Sequence, residues 1–353
     1  MVSSVNCSSR SSSFLLCLFL PLLVSVPLSV SAGAFQAFQP LPVVPPIPEN
    51  NVLSKEKVEL GKQLFFDRRL SLNGKLSCNS CHDLMQGGDD GFSASEGAKG
   101  VSGQRNTPTL WNVAYQTVLF WDGRAVSLES AIEEHLLHPE VMAMASKLDV
   151  SQRIKSIHGY EHQFNSVFPG DSEINYKNIT KALATFIRTL TTPDSSFDQF
   201  LLGNKLSISA QAQRGFTQFI ETGCASCHFW VNLSGPVPGL AFQMGEGFYE
   251  LFPNYPGTDY EKKYQLAEDL GRYLVTHEIT DRRMWRVPVL RNISHTAPYF
   301  HNGSVSSLEE AIRVMAVTQL KENLTEQQVS DIKAFLETLS GKFPVITLPR
   351  LPE

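Results

Sequence analysis

One pentapeptide pattern occurs twice in the chain, as Cys78-Asn79-Ser80-Cys81-His82 and as Cys224-Ala225-Ser226-Cys227-His228. Two cysteines separated by two residues and followed at once by a histidine form the attachment signature of a c-type haem. The thiols bond to the porphyrin side groups, and the short turn presents the imidazole to the iron. The copies lie 146 positions apart (228 − 82). The spacing therefore predicts two covalently bound c-type haems in two halves of similar size.

Two other kinds of cysteine site are weaker alternatives. Four thiolates could hold a zinc ion, but zinc does not need a histidine after each pair, and compact zinc modules bring their pairs closer together. A thioredoxin-like redox site needs a single pair beside a strand-helix unit. Because His82 and His228 each follow their cysteine pair directly, the pattern favours haem over both alternatives.

The first 32 residues have the features of a secretory signal peptide. A positive residue, Arg10, precedes an apolar run over 14–28, and small residues at 30–32 precede Gly33. The run contains two prolines and is short for a bilayer span. The other two of the six cysteines lie in this segment. We predict a signal peptide over 1–32 and a periplasmic protein, with a retained N-terminal anchor as the alternative.

The remaining chain has an ordinary globular composition. About 320 residues follow the predicted signal peptide, which is enough for two domains. The full sequence has a net charge of −5, with 42% hydrophobic and 18% charged residues, and removal of Arg10 with the signal peptide would make the charge −6. No basic cluster is interleaved with aromatic residues, which argues against nucleic-acid binding, and no stable membrane insertion is expected. We expect a proline-rich segment over 33–50 and two haem domains over 51–195 and 196–345.

Apolar periodicity and capping residues predict helices along most of the chain. Ser307 with Glu310 and Thr325 with Gln328 have the spacing of capping boxes. No stretch alternates convincingly at the period of a strand. We therefore predict a mainly α fold with two cytochrome c-like haem domains and long irregular loops. The predicted helices are 54–66, 127–144, 176–190, 209–221, 308–317 and 326–339, with a link over 193–205 and irregular structure over 236–264.

Several further motifs occur in an order that resembles the bacterial di-haem cytochrome c peroxidase and MauG family. The match covers essentially all of the chain after the predicted signal peptide. Beside the two haem motifs, it rests on Leu64-Phe65-Phe66-Asp67-Arg68-Arg69-Leu70-Ser71, Arg105-Asn106-Thr107-Pro108-Thr109, Phe120-Trp121-Asp122-Gly123-Arg124-Ala125, Val287-Pro288-Val289-Leu290-Arg291-Asn292-Ile293, Thr296-Ala297-Pro298-Tyr299-Phe300-His301, Met315 and Gln319-Leu320.

The resemblance implies a division of work between the haems. The first haem, ligated by His82, would bind hydrogen peroxide. The second, ligated by His228, would accept electrons from a small donor protein, with Met315 as its other axial ligand. A histidine–methionine pair raises the reduction potential, which suits an electron acceptor. Trp121 corresponds to a tryptophan between the haems, a candidate electron relay.

The same resemblance implies a calcium ion between the halves. Asn106, Thr296 and Pro298 match the positions around it, and their oxygen atoms suit a hard cation. The sequence does not decide whether the calcium is present, nor whether two copies associate as a homodimer.

Two departures from the family pattern concern the first haem. Peroxidases that need reductive activation carry a histidine that caps the peroxide-binding iron, and Ala98 stands at that position. A methyl group cannot ligate iron, so the substitution predicts a first haem open to peroxide without prior activation. The family also places glutamine at Ala131, proline at His135 and glutamate at Val141.

Cleavage of peroxide requires a proton to move between its two oxygens, which is a general acid-base task. The glutamine and glutamate that help in the family are missing here. The nearby candidates are His135, His138 and Glu140.

Three functions remain open from the sequence. The leading one is reduction of hydrogen peroxide to water by a reduced periplasmic cytochrome or copper protein. The second is MauG-like oxidation of aromatic residues on a partner protein, which would favour tyrosine over Met315 as axial ligand. The third is a non-enzymatic di-haem electron-transfer protein, favoured by the missing distal groups.

Overall fold

The chain folds mainly into helices, and a computed structural model describes residues 37–171, 173–238 and 244–353. The predicted signal peptide lies outside the described residues. The mainly α prediction is confirmed. The α-helices are α1 (Lys55–Phe66), α2 (Leu128–Leu137), α3 (Lys147–Lys155), α4 (His158–Val167), α5 (Tyr176–Arg188), α6 (Ser196–Leu201), α7 (Ala210–Glu221), α8 (Asp259–Tyr264), α9 (Tyr273–Thr276), α10 (Leu308–Met315) and α11 (Glu326–Glu337).

Most of these helices begin at a polar residue whose side chain accepts a hydrogen bond from the first turn. Such a cap satisfies a backbone N–H that has no partner inside the helix. Thr325 and Gln328 form the predicted capping box. At Ser307, the side chain accepts from the N–H of Glu310, which is one half of the predicted box. The other capped starts are at Ser54, Ser127, Ser146, Asn175, Ser195, Ser209 and Thr258.

Four sequence predictions of elements need correction. The pattern over 127–144 yields a helix only to Leu137, because Pro139 disfavours helical backbone at His138. The predicted link over 193–205 contains α6. The region 236–264 contains α8 and strand β1 (Tyr249–Leu251), which pairs antiparallel with β2 (Met284–Arg286). Helix α10 ends at Met315 and continues as a π-helical turn, Ala316–Leu320.

Two apolar cores support the two haem motifs. The first core contains side chains from Leu60 to Leu190 and centres on α1 packed against α5. The second contains side chains from Phe197 to Leu339 and centres on α7 packed against α11. Both cores belong to one compact unit. The domain boundary at 195/196 stays a prediction.

The segments at both ends of the described chain run extended over the helices. The N-terminal segment is fixed by the N–H of Leu41, which donates to Asp198 Oδ1 at 3.0 Å. The C-terminal tail returns to the first core, where the carbonyl of Glu353 accepts from the N–H of Gly159 at 3.2 Å. Among the described residues, no helix has both the length and the apolar character that a membrane span requires.

Candidate haem sites

The first haem motif forms a single 3₁₀ turn, Cys78–Ser80, that places its histidine against two backbone carbonyls. The N–H of His82 donates to the carbonyl of Cys78 at 3.0 Å. The His82 Nδ1 lies 3.1 Å from the carbonyl oxygen of Pro108 and 3.3 Å from that of Gly88. A carbonyl partner at Nδ1 fixes the tautomer and leaves Nε2 for a metal, as in many ligating histidines.

The second motif repeats this local geometry. Its 3₁₀ turn is Cys224–Ser226, and the N–H of His228 donates to the carbonyl of Cys224 at 3.0 Å. The His228 Nδ1 lies 2.9 Å from the carbonyl oxygen of Leu233, and the backbone of Pro288 also contacts this ring. Both imidazoles therefore present Nε2 in the same way.

Burial keeps both imidazoles in the form that binds metal. Desolvation, followed by repulsion from His135, lowers the pKa of His82 to about 4. Desolvation likewise lowers the pKa of His228 to about 4. Both rings are therefore neutral at physiological pH, which is the state required of a metal ligand.

The thiols of the two motifs face two different cavities. Cys78 and Cys81 line a cavity with His82, whereas Cys224 and Cys227 line another with His228. None of the four forms a disulfide. Burial raises the pKa of Cys78 to about 12. This separation argues against a single zinc ion bound by all four thiolates.

The first cavity gathers the predicted acid-base candidates. His135, His138 and Glu140 all line it together with His82. Ala131 and Val141, where the family has glutamine and glutamate, line it too. Ala98 does not; it is buried and its N–H donates to the carbonyl of Val141 at 2.7 Å.

The three candidates differ in their surroundings. The His135 ring is buried, with Nδ1 2.9 Å from the carbonyl oxygen of Ala131, and burial lowers its pKa. His138 is the C-cap residue of α2, and its Nδ1 accepts from the N–H of Glu140 at 3.2 Å. Of the three, His135 is the one whose ring contacts the His82 ring, with centroids 6.1 Å apart.

The second cavity brings Met315 to the same space as His228. Met315 lies at the end of α10, and Leu308, Ile312 and Leu336 complete an apolar wall around it. A thioether and an imidazole facing one apolar cavity form a donor set that suits haem iron.

Trp121 is part of the wall shared by the two cavities. The segment 106–109, Gln116 and Arg286 also line both. The Trp121 Nε1 donates to the carbonyl of Asn106 at 2.8 Å. The tryptophan predicted as a relay is therefore held between the two haem-type sites.

Arg286 is a buried cation that the sequence reasoning missed. Its Nε and Nη1 donate to the carbonyls of Phe120 and Val287 at 3.0 and 3.1 Å. It forms no salt bridge with a carboxylate of the described residues. Desolvation lowers its pKa to about 10. A buried guanidinium without a directly paired anion is costly, so this residue could hold a carboxylate of a haem.

The three residues predicted to hold calcium share the lining of one cavity. Asn106, Thr296 and Pro298 all line the second cavity. The Asn106 side-chain nitrogen donates to the carbonyl of Phe92 at 2.9 Å, which leaves its Oδ1 available. Within the described ranges, no group of three or more His, Cys, Asp and Glu side chains is placed to hold a metal ion.

An internal repeat is the signal that could have found the supporting carbonyls. Residues 108–132 and 288–312 are offset by 180 positions (288 − 108) and share many residues. The 3₁₀ turns Val113–Tyr115 and Ile293–His295 keep this offset, and so do the bridges Leu119–Ala125 and Tyr299–Val305. The shared residues are Pro108/Pro288, Leu110/Leu290, Asn112/Asn292, Phe120/Phe300, Gly123/Gly303, Ser127/Ser307, Leu128/Leu308, Glu129/Glu309, Ala131/Ala311 and Ile132/Ile312.

The residues present fit two c-type haems. Each cavity combines a cysteine pair, a neutral histidine with Nδ1 held by the backbone, and a largely apolar wall. The first haem would be held by Cys78, Cys81 and His82. The second would be held by Cys224, Cys227 and His228.

Comparison with known proteins identifies the family. The family model described as di-haem cytochrome c peroxidase matches residues 55–206. A cytochrome c551 peroxidase of Nitrosomonas europaea is 38% identical, covering 91% of this chain and 90% of the relative. A methylamine utilization protein MauG of Methylorubrum extorquens is 34% identical, covering 87% of this chain and 84% of the relative.

A solved structure gives the same result for the fold. A MauG-like protein associated with microbial copper homeostasis superposes with a TM-score of 0.74 and is 29% identical. The alignment covers 85% of this chain and 93% of that chain. The family implies two c-type haems, in agreement with the two cavities. The chain therefore belongs to the di-haem cytochrome c peroxidase family and is an oxidoreductase of the cytochrome c peroxidase type.

Proposed function

We propose that this protein reduces hydrogen peroxide to water at the first haem, with electrons that enter through the second haem. Each turnover takes one hydrogen peroxide, two electrons and two protons and gives two water molecules. The observation that carries the proposal is the pair of haem-type cavities with a common wall. That wall contains Trp121, which hydrogen-bonds to the backbone of the same segment that supports His82.

The two cavities differ in the donors they offer. A haem at the first motif supplies an iron that binds peroxide, and one at the second supplies an electron store. Met315 would hold the second haem iron together with His228, because the two residues share that cavity. A thioether ligand favours the reduced state and so suits acceptance of electrons. The presence of Met315 where MauG-like chemistry would favour tyrosine supports peroxide reduction.

Protein groups around the first cavity supply proton transfer. His138 and Glu140 both line it, and the backbone N–H of Glu140 donates to His138 Nδ1. Acid-base exchange with bound peroxide requires such titratable groups within hydrogen-bond reach. Arg105 also lines this cavity, and its charge is compensated by ion pairs with Asp122 and Asp269.

Further parts of the proposal concern partners and place. The electrons come from a small periplasmic cytochrome or copper protein. The proposed periplasmic location follows from the predicted signal peptide and from haem attachment outside the cytoplasm. Asn106, Thr296 and Pro298 are proposed to supply oxygen ligands to one calcium ion, and a homodimer is compatible with the proposal.

The function is tested on the full chain, produced in a bacterial host that attaches c-type haem. The pyridine haemochrome assay should count two haems per polypeptide. Peroxide-dependent oxidation of ferrocytochrome c should be observed for the wild type. Met315→Ala should lose at least about tenfold of this turnover while still binding peroxide at the first haem, because electron entry and peroxide binding occur at different irons.

The matched control is Met85→Ala. Met85 is exposed and lines neither haem cavity, so its removal should leave turnover unchanged. Purified protein that is colourless, or that carries one haem, would contradict the proposal. So would full turnover in Met315→Ala.

A further inference from the structure

We propose that His135 is the second axial ligand of the first haem iron in the oxidised, resting protein. The iron would then lie between the imidazoles of His82 and His135. This inference deepens the proposed function, and its kinetic consequence for peroxide rests on that function. The ligand assignment itself stands on the positions of side chains in the first cavity.

The distance between the His82 and His135 rings supports ligation of one metal by both. The centroids of His82 and His135 are 6.1 Å apart. A metal–imidazole bond is about 2 Å long and the ring centre lies roughly 1 Å behind the nitrogen, so one metal between two imidazoles sets the centroids about 6 Å apart. The observed separation is the one that shared ligation requires.

The orientation of each ring supports the same assignment. The His82 Nδ1 is held by the carbonyls of Pro108 and Gly88, and the His135 Nδ1 by the carbonyl of Ala131. Neither Nε2 forms a hydrogen bond to the described part of the chain. Each ring is therefore supported at one nitrogen and offers the other, as ligating histidines do.

Packing against neighbouring side chains also fixes the His135 ring. It stacks on Phe120 with centroids 5.0 Å apart and an interplanar angle of 17°. The Arg124 guanidinium lies 3.7 Å from the centroid of the same Phe120 ring and pairs with Glu134. A ring fixed by stacking and by a helix carbonyl is pre-organised for one ligand geometry.

The internal repeat supplies an independent argument. The offset of 180 positions that relates Pro108 to Pro288 also relates His135 to Met315. Each of these two residues follows its proline by 27 positions (135 − 108 and 315 − 288) and lies in the last turn of the equivalent helix, α2 or α10. His135 therefore occupies the same position in the first half of the repeat as the proposed ligand Met315 occupies in the second half.

The same distance argues against His135 as the acid-base group. A general base must leave room for peroxide between its nitrogen and the iron, which adds a hydrogen bond of about 2.6–3.2 Å. The 6.1 Å between the ring centroids leaves space for an iron and no bound peroxide. His138 and Glu140 are left as the groups for proton transfer.

Ligation by His135 replaces the open first haem that was predicted from Ala98. A loop histidine is absent from that position, but the iron is closed by a different element, helix α2. Peroxide can then bind only after the His135 imidazole has left the iron. Entry of an external ligand should be limited by that departure.

The wild-type protein provides the first test, which does not depend on a variant that folds. Low-temperature electron paramagnetic resonance and near-infrared magnetic circular dichroism of the oxidised protein should show two low-spin haems. One should have the charge-transfer band of two nitrogen ligands and the other that of nitrogen and thioether. A high-spin first haem would overturn the inference.

The second test compares His135→Leu with His138→Leu. Both residues line the first cavity, so His138→Leu is the matched control. His135→Leu should convert the first haem to high spin, and His138→Leu should keep it low spin. Low spin retained in His135→Leu would overturn the inference.

Cyanide binding gives the kinetic readout. In the wild type the rate should reach a plateau as cyanide rises, whereas in His135→Leu it should increase in proportion to cyanide and exceed the plateau at least tenfold. If cyanide bound to the wild type and to His135→Leu at equal rates, both proportional to cyanide concentration, the result would contradict ligation by His135. A low-spin first haem with two nitrogen ligands but no peroxide turnover would remove the proposed function and leave this inference standing.

Discussion

At the scale of single residues, Asp89 shows how burial changes the charge of a carboxyl near the first haem motif. The residue lies in the glycine-rich loop after His82, and its Oδ2 is buried without a hydrogen-bond partner. Desolvation, with smaller contributions from Asp90 and Asp83, raises the pKa of Asp89 to about 7. Both neighbouring charges are carboxylates, and a backbone hydrogen bond to Asp89 offsets the cost of ionising it only in part.

This environment predicts a dependence of stability on pH. The ordinary pKa of an aspartate is 3.8 and the folded value is about 7. Between these values the folded state keeps a proton that the unfolded state has released, so stability falls as pH rises from about 4 to about 7. Asp89→Asn stays neutral, and its advantage in melting temperature over the wild type should grow between pH 5 and pH 7 and then level off.

The control for this prediction is Asp89→Ala, which also removes the carboxyl. It should show the same change with pH, offset by the packing it loses. A difference between Asp89→Asn and the wild type that stays constant from pH 5 to pH 8 would show that the carboxyl does not titrate in this range.

The predicted haem-attachment residues rest on the spacing of cysteine and histidine, which is a local property of the sequence. The partner of His82 across the cavity could not, because a ring distance of 6.1 Å depends on how two segments 53 positions apart (135 − 82) pack together. The sequence predicted His135 as an acid-base candidate. The packing on Phe120 favours its assignment as a ligand.

At the scale of elements, each half contains a pair of helices that touch at a glycine. Gly61 on α1 faces α5, and a Cβ there would collide with the backbone carbonyl of Ala182. Gly215 on α7 faces α11, and a Cβ there would collide with the carbonyl of Asp331. The close approach of the backbones therefore requires the absence of a side chain.

Gly61→Ala and Gly215→Ala should each destabilise the protein. Moving the helices apart disturbs a packed core, which typically costs about 1–3 kcal/mol and occasionally more. Urea unfolding would measure the change in the free energy of unfolding. Gly103→Ala is the control, because its Cβ would meet only the Ser95 carbonyl at 3.7 Å. Unfolding free energies equal to that of the control would show that the helices can separate at little cost.

Helix starts were predicted more accurately than helix ends. Ser54, Ser127 and Thr325 cap their helices at the expected positions, because a cap is a local property of the sequence. The ends at Leu137 and Met315 came earlier than apolar periodicity suggested. The first end is explained by Pro139, a local signal that periodicity alone does not include.

At the scale of the whole molecule, one buried ion pair ties the N-terminal segment to the second core. Arg291 and Asp198 are almost completely buried, with Nη2 and Oδ1 2.7 Å apart. Asp198 also accepts from the N–H of Leu41, and Arg291 donates to the carbonyl of Gln39 at 3.4 Å. The pair therefore joins three segments that are distant in sequence.

Asp198→Asn should destabilise the protein strongly. It leaves the Arg291 charge buried without its partner, which typically costs about 3–5 kcal/mol. Lys147→Ala, which breaks an exposed pair with Glu133, should cost less than about 1 kcal/mol. Chemical unfolding of both variants measures the difference. Equal losses would mean that water reaches Arg291 in the native state.

The mainly α fold followed from apolar periodicity and capping residues. The contacts between segments distant in sequence did not follow from these signals. The pairing of Asp198 with Arg291 spans 93 positions, and the tail contact between Glu353 and Gly159 spans a still longer stretch. Spacing along the chain carries no signal for such contacts, because they depend on how the folded chain packs in three dimensions.

The wall common to the two cavities has a consequence for measurements on this protein. One short segment, 106–109, supplies the carbonyl that supports His82 and the carbonyl that holds Trp121. Linkage between two sites is reciprocal. Suppose that reducing one haem changes the ligand affinity of the other haem by some free energy. Ligand binding at that other haem must then shift the reduction potential of the first haem by the same free energy. With such coupling, a reduction potential measured at one haem depends on the ligand state of the other haem as well.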